Sequence, residues 1–427
     1  MIKRCFSSLP STFQTSTMRS TEYFGRQSPA DPFKVLVVGG SYAGLSTALN
    51  LLDLCNGRSA RTQMVSPTTG QPVKVPVEIT MVDERDGFFH LISAPLALAS
   101  KTFVGKPWTS FPDIPALKSV RFVQGSAKTV DCKKKRALIE TAKGATELEY
   151  DFFVAASGLR RVWPVVPQST AREAYLEEAS AQIRSLENAS EGIVVVGGGA
   201  VGIEMAAEIK LVMPEKKVTL IHSRDKLCSS EPLPGEFKAK CLAALHEAGV
   251  ETILGQRVLE DTKEDGTHSL KFADGRIFRA SEVIYAISKS TPSTSYLPEK
   301  VLDEGYVKVT PRLGWLSDCE NSQHHFALGD IVKWSGIKRC GAAIHMGQYA
   351  AHNIHQSMAK QLYGDEPKFM ELEEIPPMIA IAIGKQAVAY HPAEGTTCGT
   401  ELMERMFGDD LWTKTCWEYL GLGKEYP

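Results

Sequence analysis

The chain has 427 residues, of which 43% are hydrophobic and 23% are charged, and its formal net charge is −2. This length accommodates two or three domains with sizeable cores, and the near-neutral charge provides no global basic field, so no nucleic-acid partner is expected. No apolar stretch approaches the roughly 20 residues that a membrane-spanning helix requires.

The cysteines and histidines give no sign of a metal or disulfide centre. The nine cysteines are scattered, and no two of them form a C-x-x-C motif. This argues against a disulfide scaffold, a zinc site and a dithiol redox centre, and it favours a reducing compartment. The adjacent His324 and His325 are expected on opposite faces of one strand. We therefore predict no metal site.

Residues 1–29 differ in composition from the rest of the chain. They hold Lys3, Arg4, Arg19 and Arg26 against the single acid Glu22, and they are rich in Ser and Thr. This composition is typical of a mitochondrial transit peptide, and it also fits a disordered tail. The first interpretation predicts a mitochondrial location. The alternative is a cytoplasmic protein, or one peripheral to a lipid or membrane surface.

A first glycine-rich loop follows at the start of the folded part. Residues 34–38 read as a strand, residues 45–54 as a helix, and the loop between them spells G-x-S-x-x-G, with Ser41 in the central position. Serine is small enough for a backbone to approach a phosphate closely. The next predicted strand, 77–82, ends in Asp83, a carboxylate suited to the ribose hydroxyls of an adenosine.

A second and stronger glycine-rich loop lies near the middle of the chain. Residues 193–196 form a β-branched strand, and Gly197, Gly199 and Gly202 follow at the G-x-G-x-x-G spacing before an Ala-rich helix. These glycines allow the tight turn, the approach of a pyrophosphate and close helix–strand packing, while the helix start offers free N–H groups. A further strand, 217–222, arrives at the expected distance. The pattern predicts a second dinucleotide site.

The remaining elements complete an α/β pattern. A short buried strand ends in Gly329-Asp330. In the tail, apolar residues between Leu402 and Leu420 recur mostly at spacings of three or four, as on one helix face. This stripe predicts a docked core helix or, because it holds two tryptophans, a contact with a partner or a membrane surface. The other predicted elements are strands at 120–123, 137–141, 148–154, 276–286 and 306–309 and helices at 238–248 and 342–360.

The motifs GGGAVGIEMAAEIK (197–210), PEKKVTLIHS (214–223), FALGD (326–330) and GFFHLISAPLAL (87–98) resemble the two-dinucleotide-binding flavoprotein superfamily, of the pyridine nucleotide-disulfide oxidoreductase type. Within it, the chain is most similar to the apoptosis-inducing-factor-like branch of mitochondrion-associated, ferroptosis-suppressor type. The resemblance implies two Rossmann-like domains of glutathione-reductase type, with the NAD domain inserted into the FAD domain. The expected segments are a transit-like or disordered stretch (1–29), the FAD domain (30–165 and 289–365), the NAD(P)H domain (166–288) and a small C-terminal α+β region (366–427).

The resemblance also implies roles for particular residues. Asp83 would bind the adenosine ribose of FAD, Ala127 would offer its backbone to the adenine edge, and Asp330 would bind the ribityl chain. The family often has a basic residue near the flavin in the loop after Asp83, where this sequence has Leu96 and Leu98. The FAD pyrophosphate would be surrounded by Gly39, Gly40, Ser41, Tyr42, Ala43 and Gly44.

The second loop, Gly197–Gly202, would bind the nicotinamide nucleotide. By the same resemblance, Glu204 lies near the nicotinamide and the flavin, and Gln348 lies near the flavin on the side of a quinone. The strand after this loop ends in His222-Ser223-Arg224 without a carboxylate. A 2′-phosphate would not be repelled there and could pair with Arg224. We therefore expect NADPH to be accepted at least as well as NADH.

The expected activity follows from the two cofactors. Hydride passes from NAD(P)H to FAD, and without a C-x-x-C dithiol the electrons must leave to a diffusible acceptor that meets the flavin directly. The resemblance suggests a quinone, reached through an apolar passage lined partly by the C-terminal segment. Two alternatives stay open: a flavin oxidase or dehydrogenase of a specialised small molecule, and a redox-sensing interaction protein of pro-apoptotic type. The oligomeric state stays open as well.

Overall fold

A computed structural model describes residues 31–62, 71–163, 166–287 and 290–425. The transit-like segment 1–29 lies outside the described residues. The strands, numbered in chain order, are β1 (Phe33–Val38), β2 (Val77–Asp83), β3 (Gly87–Phe89), β4 (Trp108–Ser110), β5 (Arg121–Gln124), β6 (Ser126–Asp131), β7 (Arg136–Thr141), β8 (Gly144–Glu149), β9 (Phe152–Ala155), β10 (Leu159–Arg161), β11 (Ile193–Val196), β12 (Val218–Ile221), β13 (Glu251–Ile253), β14 (Val258–Glu264), β15 (Thr267–Phe272), β16 (Ile277–Ala280), β17 (Glu282–Tyr285), β18 (Ser290–Pro292), β19 (Leu302–Asp303), β20 (Tyr306–Val307), β21 (His325–Ala327), β22 (Ile379–Ile383), β23 (Gln386–His391) and β24 (Gly395–Gly399).

The helices connect and cover these strands. None of the described helices is both long and apolar enough to cross a membrane. The α-helices are α1 (Tyr42–Cys55), α2 (Ala94–Ala97), α3 (Arg172–Asn188), α4 (Ala200–Val212), α5 (Gly235–Glu247), α6 (Cys340–Tyr363), α7 (Thr400–Met406) and α8 (Thr413–Tyr419).

The first glycine loop belongs to a five-stranded parallel sheet with the order β21-β9-β1-β2-β5. In chain order this is the doubly wound arrangement, in which ligands bind beyond the carboxyl ends of the strands where the order reverses. Both β1 and β9 are almost wholly buried, as expected for strands covered on two faces. Helices α1 and α6 pack against each other beside the sheet, and a Cβ on Gly347 of α6 would lie 2.7 Å from the Ala43 carbonyl oxygen.

The second glycine loop belongs to a separate four-stranded parallel sheet with the order β13-β12-β11-β17. Helix α4 follows β11 directly, and its inward face is apolar because Ile203, Ala206 and Ala207 are each fully buried. This sheet and its helices are formed by the chain between β10 and β18. The predicted insertion of one dinucleotide-binding unit into the other is therefore confirmed.

A two-stranded antiparallel ribbon joins the two units. Strand β10 leads out of the first unit, β18 leads back into it, and the two pair from Leu159 with Pro292 to Arg161 with Ser290. We call this pair the crossover ribbon. Antiparallel three-stranded sheets formed by β6–β8 and β14–β16 decorate the two units.

The C-terminal region is an antiparallel sheet, β22–β24, packed against α7 and followed by α8. The prediction of one apolar helical stripe from Leu402 to Leu420 is wrong in its continuity. The chain turns between α7 and α8, where Leu411 and Trp412 both adopt left-handed backbone conformations with φ of 49° and 67°. Leu402, Leu411 and Leu420 are nevertheless buried, so most of the stripe does serve as core.

The histidine pair also differs from its prediction. His324 ends a short 3-10 helix, and only His325 belongs to β21. Its Nε2 and the Tyr150 hydroxyl are 2.9 Å apart, and burial lowers the pKa of His325 to about 4. His325 is therefore a neutral core histidine.

Candidate active site

A cleft of about 1100 Å³ runs from the end of β2, past the first glycine loop and the crossover ribbon, to the C-terminal region. It lies at the upper end of the size range of ligand pockets. Of the residues predicted for the site, the cleft is lined by Gly39, Gly40, Ser41, Tyr42, Ala43, Asp83, Ala127, Glu204 and Asp330.

The first glycine loop is shaped by close backbone packing. Gly39 has a φ of 112°, and a Cβ there would lie 2.2 Å from the Ala156 carbonyl oxygen. Gly44 packs directly against the loop backbone, since a Cβ there would lie 1.7 Å from the Gly39 carbonyl oxygen. It is not among the described residues that line the cleft. Ser41 is the N-cap of α1 but its side chain makes no capping bond. The start of this helix therefore keeps free N–H groups for a phosphate.

Asp83 fixes the loop from the neighbouring strand. Its Oδ2 accepts a hydrogen bond from the Gly40 N–H at 2.6 Å and its Oδ1 accepts one from the Arg85 N–H at 2.8 Å. These two hydrogen bonds lower the pKa of Asp83, but burial raises it by more, so the pKa lies above its usual value. Each carboxylate oxygen retains a second lone pair that can accept a ribose hydroxyl. Ala127 faces the same end of the cleft from β6.

Asp330 lies at the centre of the cleft, in a short 3-10 helix after β21. Its Oδ2 accepts a hydrogen bond from Arg161 of the crossover ribbon at 3.1 Å. The preceding residue of the ribbon, Arg160, binds Glu84 at 2.5 Å. These two arginines were not predicted as site residues, although they are adjacent in the sequence and follow Gly158-Leu159.

The second glycine loop repeats the packing of the first. Gly197 has a φ of 130°, and a Cβ on Gly202 would lie 1.9 Å from the Gly197 carbonyl oxygen. A Cβ on Gly199, the N-cap of α4, would meet nothing within 4 Å. These three glycines are not among the described residues that line the cleft, but Ala200 and Val201, between Gly199 and Gly202, are.

His222, directly after β12, folds back over the second glycine loop. Its Nδ1 accepts the Gly198 N–H at 3.1 Å, and its Nε2 lies 3.0 Å from the Ser229 hydroxyl oxygen. Burial, followed by the nearby Arg224, lowers the pKa of His222. Arg224 itself is exposed. Neither residue is among the described residues that line the cleft.

Glu204 faces the cleft from the first turns of α4. Its Oε1 accepts the Ala382 N–H of β22 at 3.4 Å, which links the second unit to the C-terminal sheet. Burial raises the pKa of Glu204 to about 8, with smaller contributions from the nearby Glu208 and Cys228. Its carboxyl group is therefore mostly protonated at neutral pH and can donate a hydrogen bond.

Gln348 does not lie where it was predicted. Its side chain is 2% exposed on the buried part of α6, and it is not among the described residues that line the cleft. The expected contact with a quinone therefore has no support from its position. Its predicted role rests on the resemblance alone.

A chain of hydrogen bonds ties the first loop to the C-terminal region. His90 Nε2 lies 3.0 Å from the Leu411 carbonyl oxygen, which can only accept, so Nε2 carries the proton and Nδ1 accepts from the Tyr42 hydroxyl at 3.1 Å. The same hydroxyl accepts the Leu91 N–H at 2.9 Å. Burial lowers the pKa of His90 to about 4, so the histidine stays neutral. This contact could not be predicted from the sequence, in which only the histidine of GFFH stands out.

The C-terminal part of the cleft has a mixed lining. Its apolar residues come from the loop after β3 and from the C-terminal sheet and helices: Ile92, Ile379, Ala380, Ala389, Leu402, Met406, Phe407 and Trp412. The C-terminal segment also contributes polar residues: Tyr390, His391, Glu394, Thr397 and Arg405. The Trp412 and His90 rings lie 6.3 Å apart, so the C-terminal segment closes directly against the first unit.

No group of three or more potential metal ligands occurs within the described ranges. Cys340 lines the cleft, and burial raises the pKa of its thiol to about 12. It is therefore a protonated, poorly nucleophilic thiol rather than a thiolate.

Comparisons with known proteins agree with this geometry. A family model described as pyridine nucleotide-disulphide oxidoreductase matches residues 33–347. Oxidoreductase OXR1 of Ajellomyces capsulatus is 49% identical over 425 residues, which cover 96% of this chain and 92% of that protein. Ferroptosis suppressor protein 1 of Mus musculus is 33% identical over 343 residues, covering 77% and 81%. Among solved structures, the sulfide:quinone oxidoreductase of Aquifex aeolicus has the same fold, with a TM-score of 0.64 at 19% identity over 92% of this chain and 93% of that one.

Proposed function

The chain belongs to the pyridine nucleotide-disulphide oxidoreductase family, an FAD- and NAD(P)H-dependent group of oxidoreductases, and from this premise we propose that its electron acceptor is a quinone. The observation that carries the proposal is the group of apolar side chains, among them Phe407 and Trp412, that the C-terminal region contributes to the cleft. A flat, apolar acceptor fits such walls, and the sequence holds no C-x-x-C dithiol through which electrons could leave instead.

The residues of the cleft fit FAD. The first loop excludes side chains at Gly39 and Gly44, Asp83 offers lone pairs to a ribose, and Asp330 offers a carboxylate halfway along the cleft. When bound, FAD supplies the two-electron chemistry between the donor and the acceptor. The protein then has to hold donor and acceptor at the ring and exclude water.

The protein side of this reaction falls mainly to Glu204 and the C-terminal segment. With Oε1 accepting the Ala382 N–H, the other carboxyl oxygen of Glu204 holds the proton and presents a neutral donor to the nicotinamide side. A neutral carboxyl avoids stabilising NAD(P)⁺ over NAD(P)H through a fixed negative charge. Phe407 and Trp412 shield the acceptor side from solvent.

We further propose that NADPH is used at least as well as NADH. The second strand ends without a carboxylate at residues 222–224, His222 bonds back to the loop, and the exposed Arg224 is available for a 2′-phosphate. The next two residues, Asp225 and Lys226, are also exposed and carry opposite charges, so Arg224 provides the net positive charge of this loop.

The quinone proposal is tested by anaerobic stopped-flow spectroscopy of the holoprotein. NAD(P)H should bleach the flavin absorbance within turnover times, and a short-chain ubiquinone should restore it. Phe407→Ser should slow the second phase and leave the first unchanged, because only the acceptor wall is altered. Leu259→Ser, at a residue 58% exposed on β14, is the matched control and should behave as wild type.

Other results would point to the other functions. Reoxidation by oxygen but not by quinone would identify an oxidase. A long-lived reduced complex that no acceptor reoxidises would identify a redox sensor. Either result would refute the quinone proposal.

A further inference from the structure

Two cysteines that are far apart in the sequence meet near the surface of the first unit. Cys132 lies in the turn between β6 and β7, and Cys319 lies in the segment that leads to β21. Both thiols are free, and their side chains share a hydrogen bond. The Nδ2 of Asn321 donates to the Cys132 carbonyl oxygen at 2.9 Å and to the Lys133 carbonyl oxygen at 3.3 Å. The two segments are therefore held together by the Asn321 side chain as well as by the thiols.

Both cysteines lie just beneath the surface and outside the cleft. Cys132 is 5% exposed and Cys319 is 4% exposed. The residues on either side of each cysteine are exposed: Asp131, Lys133, Asp318 and Glu320. A small oxidant therefore needs only a slight movement of either segment to reach the sulfur atoms. Neither cysteine is among the described residues that line the cleft, so the pair has no part in the transfer of hydride there.

The two thiols differ in their surroundings. Burial, and then the hydrogen bond with Cys319, raises the pKa of the Cys132 thiol well above its usual value. Cys132 therefore keeps its proton and donates it towards the Cys319 sulfur. The Lys300 ammonium interacts with the charge of a Cys319 thiolate, and it also lies 3.4 Å from Glu320 Oε2. A thiolate with a cation and a second thiol beside it has the surroundings of a redox-sensitive cysteine and its resolving partner.

We propose that Cys132 and Cys319 form a reversible disulfide when the protein meets hydrogen peroxide. The Cys319 thiolate attacks one peroxide oxygen, the O–O bond breaks, and Cys319 becomes a sulfenic acid while one water leaves. The Cys132 sulfur then attacks the sulfenic sulfur, loses its proton and displaces a second water. Two thiols lose two electrons and two protons, and the peroxide gains both to give two waters. A reducing compartment accommodates such a bond, because disulfides there are usually transient and redox-sensing.

The disulfide would join the two halves of the first unit. Cys132 precedes the inserted second unit and Cys319 follows it, so the closed loop contains that whole unit. Closure of a long loop restricts the unfolded chain most strongly. The bond also ties β6, which carries Ala127, to the segment that leads to Asp330, and both of these residues line the cleft. Oxidation should therefore stabilise the fold and slow the release of FAD.

Peptide mass spectrometry of the FAD-loaded protein tests this proposal directly. The reduced protein is treated with increasing hydrogen peroxide, its free thiols are blocked with iodoacetamide, and it is digested without reductant. We expect one linked pair of peptides that holds Cys132 and Cys319 and that disappears after treatment with dithiothreitol. Cys398, which is exposed on β24, is the internal reference for non-specific oxidation. The linked pair should form at peroxide concentrations that leave Cys398 free to react with iodoacetamide.

Thermal unfolding of the same samples gives a second readout. Oxidation should raise the unfolding midpoint of the wild type by about 5 °C, the order of effect expected for closing so long a loop. Cys132→Ser and Cys319→Ser should each abolish this rise, and Cys319→Ala replaces the serine variant if that variant does not fold. Cys398→Ser removes an exposed thiol and should respond to peroxide as the wild type does.

Three results would overturn the inference. The first is that Cys398 is oxidised before any peptide linked through Cys132 and Cys319 appears. The second is that Cys319 becomes linked to a different cysteine. The third is an equal rise of the unfolding midpoint in the wild type and in Cys132→Ser. None of these measurements uses a quinone or NAD(P)H turnover, so this inference and the proposed acceptor can fail separately.

Discussion

The third glycine of the second loop, Gly202, allows a stringent test of how that loop works. A Cβ on Gly202 would lie 1.9 Å from the Gly197 carbonyl oxygen, and real Cβ atoms essentially never come closer than 3.0 Å to such a neighbour. In Gly202→Ala, α4 must therefore move from β11 by at least 3.0 − 1.9 = 1.1 Å. This helix carries both Glu204 and the N–H groups that face a nucleotide phosphate.

A shift of that size has consequences for both rate and stability. A misplacement of about 1 Å can cost roughly 100-fold in rate, so we expect kcat/KM for NAD(P)H to fall by about that factor. Overpacking should also lower the free energy of unfolding by about 1–3 kcal/mol. FAD content should not change, because the first loop belongs to a different sheet.

Two further glycines distinguish an effect on packing from an effect on nucleotide binding. A Cβ on either Gly199 or Gly235 would meet nothing within 4 Å, and neither has a positive φ. Gly199→Ala should leave thermal stability unchanged but weaken NAD(P)H binding, because the added methyl group faces the approaching pyrophosphate. Gly235→Ala, at the start of α5, should change neither. The measurements are thermal unfolding, flavin absorbance per protein and NADPH titration by fluorescence. Wild-type stability and binding in Gly202→Ala would refute the close-packing argument.

Three other outcomes are expected. Burial raises the pKa of Glu208 to about 8. Its protonated form therefore contributes stability that is complete below the usual carboxyl pKa of about 4.3 and is lost as the pH rises through about 8. Glu208→Gln should flatten the pH dependence of the free energy of urea unfolding over that range, and an unchanged pH dependence would contradict this. Arg224→Ala should reduce kcat/KM for NADPH by about tenfold or more and that for NADH little, whereas a strong wild-type preference for NADH would defeat the proposal. His90→Phe keeps a ring but leaves the Leu411 carbonyl without a partner. This should lower the free energy of unfolding by about 1–3 kcal/mol and make the segment between α7 and α8 accessible to protease. Unchanged cleavage of that segment would show that this hydrogen bond does not hold it in place.

Local patterns predicted the strand–turn–helix geometry of the two glycine loops. The spacing of Gly197, Gly199 and Gly202 depends only on neighbouring residues, because turn, helix start and strand contact all lie within one strand–helix unit. The position of Asp83 at the end of its strand was equally local, and its bond to Gly40 follows from the parallel pairing of β1 and β2.

Contacts between distant segments could not be predicted in this way. The His90–Leu411 bond joins residues 321 positions apart, and it depends on how the C-terminal region docks. The stripe of apolar residues in the tail had a helical period, but two consecutive left-handed residues, Leu411 and Trp412, interrupt it, and periodicity does not detect such a break.

Because of the crossover ribbon, the inserted second unit leaves and rejoins the first unit at neighbouring positions. Its entry and exit strands lie side by side, with Leu159 opposite Pro292, and paired antiparallel Cα atoms are only about 4.5–5.5 Å apart. A two-residue hairpin turn could join the strands at this distance. Among the described strands, none from the inserted unit joins the five-stranded sheet. The inserted unit also contacts the C-terminal sheet through Glu204 and the Ala382 N–H, so an exchange of residues 162–289 between relatives would have to preserve this contact.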